Sequence, residues 1–298
     1  MTIQQLQYAL AVYRAGSISA AAANLFIAQP NLSGVIRALE EELGYSIFVR
    51  TSRGVQPTEQ GMEALRQAAQ IVDCHEKMCR VGTAAPRRRL RMEGISYNPV
   101  CDVFTQLCKE CEGDENLEMA FFTDEIDTAL EKLMLSEVDL AVMLRSPEDV
   151  ERTAQLCRQK NLKMTHLTDV PMVLRIGPRH PLYRAPEIRL SDFEKYTMVD
   201  YNDRVFLEHP SLSGLLHINQ ERVVTVADRT LKNRLIAETS MYSIGCKLPP
   251  RSNERFGFRC IPLEGLHYSL AILERTASPR GELAVRYLDL LERYLEDL

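Results

Sequence analysis

The sequence predicts a multidomain chain: a helical module at the N-terminus, a long connecting helix, and a C-terminal α/β domain in two lobes. Three observations predict it. Up to Thr58, short runs of helically spaced apolar residues are broken by turn residues. From Thr58 to about Arg80 the helical pattern runs without a break. Beyond Leu90, strand-like and helix-like runs alternate. A length of 298 residues suits two or three domains. The formal net charge of -5 means that any contact with nucleic acid must be local, because the whole molecule repels phosphate. No apolar run approaches the roughly 18 residues of a membrane span. The opening MTIQQLQYAL lacks the basic and apolar blocks of a signal peptide. A cytoplasmic location without a membrane partner is therefore expected.

Ile3, Leu6, Leu10 and Tyr13 recur at helical spacing. Gly16 stops this first helix, and Ser17 or Ser19 caps the next, SAAAANL, whose small side chains let another helix approach closely. The turn FIAQ leads to Pro30, which suits the first turn of a helix. That helix buries Leu32, Ile36, Leu39 and Leu43 and stops at Gly44. Three short helices in this order, the last two joined by a tight turn, describe a helix-turn-helix. In YSIFVRTSRGVQPT, the apolar Ile47, Phe48 and Val49 lead to a turn of Thr51, Ser52, Arg53 and Gly54. This reads as a small β-wing that holds Arg50 and Arg53 near a phosphate backbone.

Thr58 reads as the N-cap of the long helix. Met62, Leu65, Ala69, Val72 and Cys79 form an apolar stripe along it, which suits pairing with a second copy; packing on its own chain is the alternative. VGTAAPRRRLR ends the helix, and Arg87, Arg88, Arg89 and Arg91 read as a solvated hinge entering a strand rather than as DNA contacts.

The segment AAANLFIAQPNLSGVIRALEEELGYSIFVRTSRGVQPTEQG, Ala21 to Gly61, resembles the N-terminal signature of LysR-type transcriptional regulators almost without a gap. The rest of the chain resembles that family more weakly, in length and element order. The resemblance implies a homodimer or homotetramer with a winged helix-turn-helix, a dimerising linker helix and a two-lobed, periplasmic-binding-protein-like effector domain. It also implies double-stranded DNA with an inverted-repeat site and a small-molecule effector as partners, with RNA polymerase as a further one, and no cofactor. Gln29, Pro30, Ser33 and Arg37 fall on the family's recognition-helix positions. Gln29 and Asn31 lie near the helix start, within reach of base edges or phosphates, Ser33 can donate to phosphate, and Arg37 can reach phosphate or guanine. Gly34 departs from the long polar side chains that many members carry there; it costs the helix about 1 kcal/mol relative to alanine and leaves fewer bases to be read directly. The expected boundaries are 1–58 for the DNA-binding module, 59–86 for the linker and 87–298 for the effector domain. Within the last, lobe 1 takes about 87–160 plus 268–298 and lobe 2 about 161–267.

In the C-terminal part LRMEGIS, LEMAFFT, VDLAVML, MVLRIG, YTMVDY, RVVTVA and YSLAILER read as strands. PVCDVFTQLCKEC, EIDTALEKLML, RTLKNRLIAET and the final stretch from Arg280 read as helices. Ligands of such sheets sit beyond the carboxyl ends of strands, near helix N-termini. The candidates there are Ser96 and Asn98, Thr123, Asp200 and Asn202, and Ser243. Ser243 stands in SMYSIGCKLPP, which resembles the family's glycine-rich loop. Backbone amides at helix starts favour a carboxylate, which Asp124 and Asp200 would oppose unless they point away.

The eight cysteines are scattered, and CKEC (Cys108 to Cys111) is a lone pair on an amphipathic helix, better explained by packing than by metal or redox chemistry. A redox sensor built on Cys246 or Cys157 is a rival reading, but nothing nearby suggests an activated thiolate. The six histidines form no ligand spacing, His180 reads as a turn residue, and no metal site is expected. No P-loop, GxSxG, HExxH or dinucleotide fingerprint appears, so an enzyme is not expected. A small-molecule binding protein with a protein-binding helical head is a further alternative, but it has no need of a basic wing.

Overall fold

A computed structural model describes residues 1–51, 54–80, 88–201, 222–249, 256–276 and 279–296. Arg53, Arg87 and Asn202 lie outside the described residues. Helix α1 is Ile3–Ala15; Thr2 accepts from the Gln5 amide and Gln5 answers to Thr2, a capping box. Gly16 ends it at φ 60°, and Ser17 caps α2, Ile18–Asn24. Helix α3 is Gln29–Leu43 and ends at Gly44 with φ 80°. Its N-cap, Ala28, offers no side-chain bond. Leu32, Ile36 and Leu39 are buried, each contributing roughly 1.5–3 kcal/mol, while Leu43 is half-buried against the same core. Strands β1 (Phe48–Thr51) and β2 (Gly54–Pro57) pair antiparallel as the expected wing. Glu40 fixes where the wing starts, because its carboxylate accepts from the Ile47 and Phe48 amides at 2.7 and 3.0 Å.

Helix α4 is Glu59–Arg80, and the Thr58 hydroxyl accepts from the Gly61 amide at 2.8 Å. Leu65, Ala68 and Ala69 are buried in the core of the N-terminal module. The first half of the apolar stripe therefore packs on its own chain. Ile71 and Met78 remain exposed, as does Cys79.

The remaining strands form one eight-stranded sheet in the order β4-β3-β5-β10-β6-β9-β7-β8. These are β3 Arg88–Glu93, β4 Leu117–Phe122, β5 Leu140–Arg145, β6 Leu162–Ile176, β7 Met198–Tyr201, β8 Val223–Val226, β9 Tyr242–Cys246 and β10 Arg259–Arg275. The pairs β4-β3-β5 are parallel, as are β9-β7-β8. Between these blocks run β10 and β6, antiparallel to each other and to their outer neighbours. Their lengths, 17 and 15 residues, let both serve each block in turn. Helices α5 (Asn98–Glu110), α6 (Ile126–Met134), α7 (Pro147–Gln159) and α8 (Arg229–Glu238) connect the strands. The last helix, α9 (Glu282–Glu296), returns to α5, where the Tyr287 hydroxyl donates to the Val100 carbonyl at 3.1 Å and Arg286 pairs with Glu110.

Two results differ from the sequence reading. Ser243 does not stand in a loop: it lies inside β9 and is fully buried, because Tyr242 to Cys246 keep strand pairing with β6 despite Gly245. Arg88 and Arg89 are not solvated hinge residues. Arg88 reaches Glu282 at 2.9 Å, and Arg89 reaches Asp139 at 3.2 Å.

The N-terminal module and the sheet domain touch directly. Arg14 pairs with Glu137 at 2.6 Å, and the Tyr13 hydroxyl donates to Glu131 at 3.1 Å. Burial, and then the Glu131 charge, push the Tyr13 pKa up to about 12. Leu135, just past α6, is buried in the hydrophobic cluster of the N-terminal module.

Candidate nucleic-acid interface and inter-lobe cleft

Periodicity splits α3 into two edges. Leu32, Ile36 and Leu39 face the core, while Gln29, Pro30, Asn31, Gly34 and Arg37 are exposed and Ser33 is half-buried. The Arg37 side chain is 81 % exposed and meets Glu41 at 3.1 Å, an i,i+4 pair. Such an exposed pair is worth little and yields readily to a phosphate. A Cβ at Gly34 would meet nothing within 4 Å. The glycine therefore has no steric reason within the fold, and a flat spot lies on the exposed edge. Arg50 is exposed on β1 at the wing.

One residue here escaped the sequence reading. Phe26, in the turn between α2 and α3, is 96 % exposed and holds φ 55°. An aromatic side chain at positive φ costs conformational energy and leaves apolar surface in water. Only its place in the tight turn, beside the exposed edge of α3, sets it apart. Sequence periodicity cannot see a positive φ.

At the other end of the molecule the candidates separate. Ser96 and Thr123 are exposed at the ends of β3 and β4. Asn98 opens α5, and its Oδ1 is buried without a partner among the described residues. No side chain caps that helix start, where Pro99 brings no amide hydrogen. Asp200 is fully buried and pairs with the buried Lys232 ammonium at 3.5 Å; this nitrogen also lies 4.1 Å from the centre of the Tyr201 ring. Met198 lies beside Tyr242 in the β7–β9 pairing, so strand alternation puts Asp200 and Ser243 on opposite faces. Asp124 does not stand free either: Lys132 bridges it to Glu93, with 2.6 Å to the Glu93 carboxylate, and the Asp124 amide donates to Glu93 at 3.2 Å. Burial raises the Glu93 pKa, and Lys132 opposes that rise. Neither aspartate is left as an unpaired charge against an anionic ligand.

Two cations that the sequence reading passed over lie in the second lobe, and one of them reaches the first. Arg175 on β6 donates from Nη2 to the Cys246 carbonyl at 2.7 Å. Arg229 opens α8 and approaches the Cys101 sulfur on α5 at 3.9 Å. The Tyr97 hydroxyl, on the residue before α5, donates to the Lys247 carbonyl at 2.9 Å, a second tie between the lobes. Burial raises the thiol pKa of Cys157, and takes that of Cys246 up to about 12, so neither offers a thiolate. Among the described residues, no group of three or more His, Cys, Asp or Glu side chains could hold a metal ion. No helix among them is long and apolar enough to cross a membrane.

The chain thus joins a winged helix-turn-helix by one long helix to a two-block α/β domain. Residues 3–62 match the family described as bacterial regulatory helix-turn-helix protein, lysR family. The chain is 31 % identical over 152 residues to the nitrogen assimilation regulatory protein nac of Klebsiella aerogenes, covering 49 % of this chain and 50 % of that one. It is 32 % identical over 184 residues to the HTH-type transcriptional regulator AbaB of Streptomyces antibioticus, covering 60 % and 57 %. The matched stretch thus spans about half the length of these relatives. Two solved structures share the fold over nearly the whole chain. The full-length LysG of Corynebacterium glutamicum gives a TM-score of 0.65 at 15 % identity, covering 100 % of this chain and 99 % of that one. A full-length OxyR variant of Pseudomonas aeruginosa gives 0.62 at 17 %, covering 99 % and 97 %. Residues 3–62 are thus a helix-turn-helix of the lysR family type, and the chain as a whole shares the fold of these two full-length proteins.

Proposed function

We propose that this chain is a sequence-specific DNA-binding transcriptional regulator whose activity is set by a small molecule held between the lobes of residues 87–298. The observation that carries the DNA half is the exposed edge of α3. Gln29, Asn31, Ser33 and Arg37 project beside a flat Gly34, next to a wing bearing Arg50, and no other described element covers them. With few side chains to read bases, discrimination falls on DNA shape and on the spacing of two modules over an inverted repeat. A second copy is therefore needed. The shallow groove between Leu43, Tyr45, Ala64, Gln67, Ala68 and Ile71 gives its α4 a place to lie.

The effector half is supported by the uncapped start of α5, by Ser96, Asn98 and Thr123 at the strand ends, and by Arg175 and Arg229 of the second lobe. The structure of LysG is described as "with bound effector Arg", which makes ligand control a natural reading for a chain of this fold. The route from cleft to DNA is short. The loop Thr123–Glu125 leads into α6, which ends at Leu135 in the core of the N-terminal module. A ligand that shifts the start of α6 biases how α1 is held by Glu131 and Glu137. RNA polymerase is a further candidate partner.

Sequencing genomic fragments retained by the purified full-length protein tests the reading. An inverted repeat should emerge. The double variant Ser33→Ala, Arg37→Ala should then bind it about 100-fold more weakly, the loss of one to two good contacts, with an unchanged melting curve. Equal affinity of variant and parent for that repeat would sink the assignment of α3.

A further inference from the structure

Arg175 raises a question that the fold does not answer. Arg175 is half-buried with its Nε fully buried, close to Tyr97 before α5, yet no carboxylate pairs with it among the described residues. One nitrogen is tied to the Cys246 carbonyl, and Nε has no partner among those residues. A cation partly withdrawn from water without a counter-charge is costly, and proteins keep such groups paired or hydrogen-bonded.

Register explains what surrounds it. Arg175 lies opposite Cys260 of β10 on one side and opposite Ser243 of β9 on the other. Directly opposed residues of antiparallel strands share a face, so a thiol, a guanidinium and a hydroxyl form one row across the sheet. The Ser243 hydroxyl is fully buried and has no hydrogen-bond partner among the described residues. Gly245 lies on the same face, and a Cβ there would come within 2.5 Å of Arg175 Nη2. The missing side chain at 245 is what lets the guanidinium lie flat on the strand. Arg229 lies close enough for its charge to oppose that of Arg175, which no structural pairing would call for. Two cations brought together beside unpartnered donors call for an anion between them.

We infer that the row Cys260–Arg175–Ser243, with Arg229 at the nearby start of α8, is the anchor for a small carboxylate, which names the chemical class of the effector. The inference rests on the cleft being the effector site. A carboxylate's two oxygens match the planar donors of a guanidinium, with Ser243 able to donate a further bond. Binding supplies the counter-charge that Arg175 lacks. Because Arg175 belongs to the sheet and Arg229 to α8, it also fixes how α8 and its Cys101 contact on α5 sit over the sheet.

The test is a melting curve of the full-length protein with sodium acetate, benzoate or succinate replacing sodium chloride at equal ionic strength. At least one carboxylate should raise Tm by about 2–4 °C over chloride. Arg175→Met should melt no lower than the parent in chloride, because it removes an unpaired, partly buried charge, and should show no carboxylate shift. Arg175→Lys should keep part of the shift. The inference is overturned if no carboxylate stabilises the parent, if Arg175→Met keeps the shift, or if Arg175→Met melts well below the parent in chloride, which would make the guanidinium a structural tie to Cys246. DNA binding by the same proteins separates the two readings. A carboxylate shift that vanishes in Arg175→Met but never alters DNA affinity leaves the anchor standing and removes its regulatory role.

Discussion

The two ends of this molecule treat polar groups in opposite ways. On α3 the polar residues stand in water, make few bonds, and cost the fold almost nothing. In the α/β domain, polar groups are withdrawn from water: buried Asp200 meets Lys232, buried Glu93 meets Lys132, and half-buried Arg175 meets no carboxylate among the described residues. A surface that must accept many related DNA backbones needs accessible, uncommitted donors. A site that must recognise one small molecule needs donors already stripped of water and held in place. The contrast predicts that replacing polar side chains at the first end changes binding and spares stability, while replacing those at the second changes stability as well.

The largest break in that contrast should come from Lys232→Met. It leaves Asp200 buried without its cation and should destabilise the C-terminal domain by about 3–5 kcal/mol. Denaturant unfolding measures it; a change below about 1 kcal/mol would show that water reaches the pair.

Acid should sharpen the same contrast. His180 is buried beside Phe193 and Tyr196, and its Nδ1 accepts from the Leu182 amide at 3.1 Å. Burial, helped by Lys195, pushes its pKa down to about 4. Between the ordinary histidine value near 6.5 and about 4, the unfolded chain binds a proton that the folded chain refuses. Stability should thus fall as pH drops through that window, by up to ~3 kcal/mol. His180→Asn, which can keep the acceptor, should flatten the dependence. An equally steep loss in that variant would move the acid sensitivity elsewhere.

A smaller effect separates strain from recognition at Phe26. Phe26→Gly relieves an unfavourable φ and should stabilise the N-terminal module by about 1 kcal/mol. If the ring touches sugar or a thymine methyl, the same variant binds DNA more weakly. Greater stability with unchanged affinity would make Phe26 a bystander. The smallest effect is expected of Gly34→Ala, about 1 kcal/mol or less of helix stability gained, read by thermal melting. Gly34→Arg should in addition raise non-specific DNA affinity; no change in affinity would show that Gly34 faces away from the groove.

The N-terminal module is legible in the sequence almost residue by residue. Its elements are local: Gly16, Ser17, Pro30, Gly44 and Thr58 punctuate helices whose apolar spacing is unambiguous. The cleft is legible only as a set of strand ends. Arg175 and Ser243 lie far apart in the chain and meet through antiparallel register, which single-strand periodicity does not encode. Lys232 likewise reaches Asp200 from a helix whose pattern reads as ordinarily amphipathic. Ser243 reads as a loop residue because its stretch resembles the family's glycine-rich loop, whereas in the fold Gly245 makes room for a guanidinium. The lower half of the α4 stripe packs inward because the small Ala68 and Ala69 fit against α1, a choice that an apolar pattern alone leaves open.

Leu135 carries a consequence for how such a protein can change over evolutionary time. A side chain from the C-terminal domain completes the core of the N-terminal one, so the DNA-reading head is not a detachable part. Exchanging it for a relative's head would leave Leu135 facing a mismatched surface and Glu137 without Arg14. A successful exchange should therefore carry matched changes at 135 and 137, and a head cut free of its partner domain should melt earlier than the same head in the whole chain.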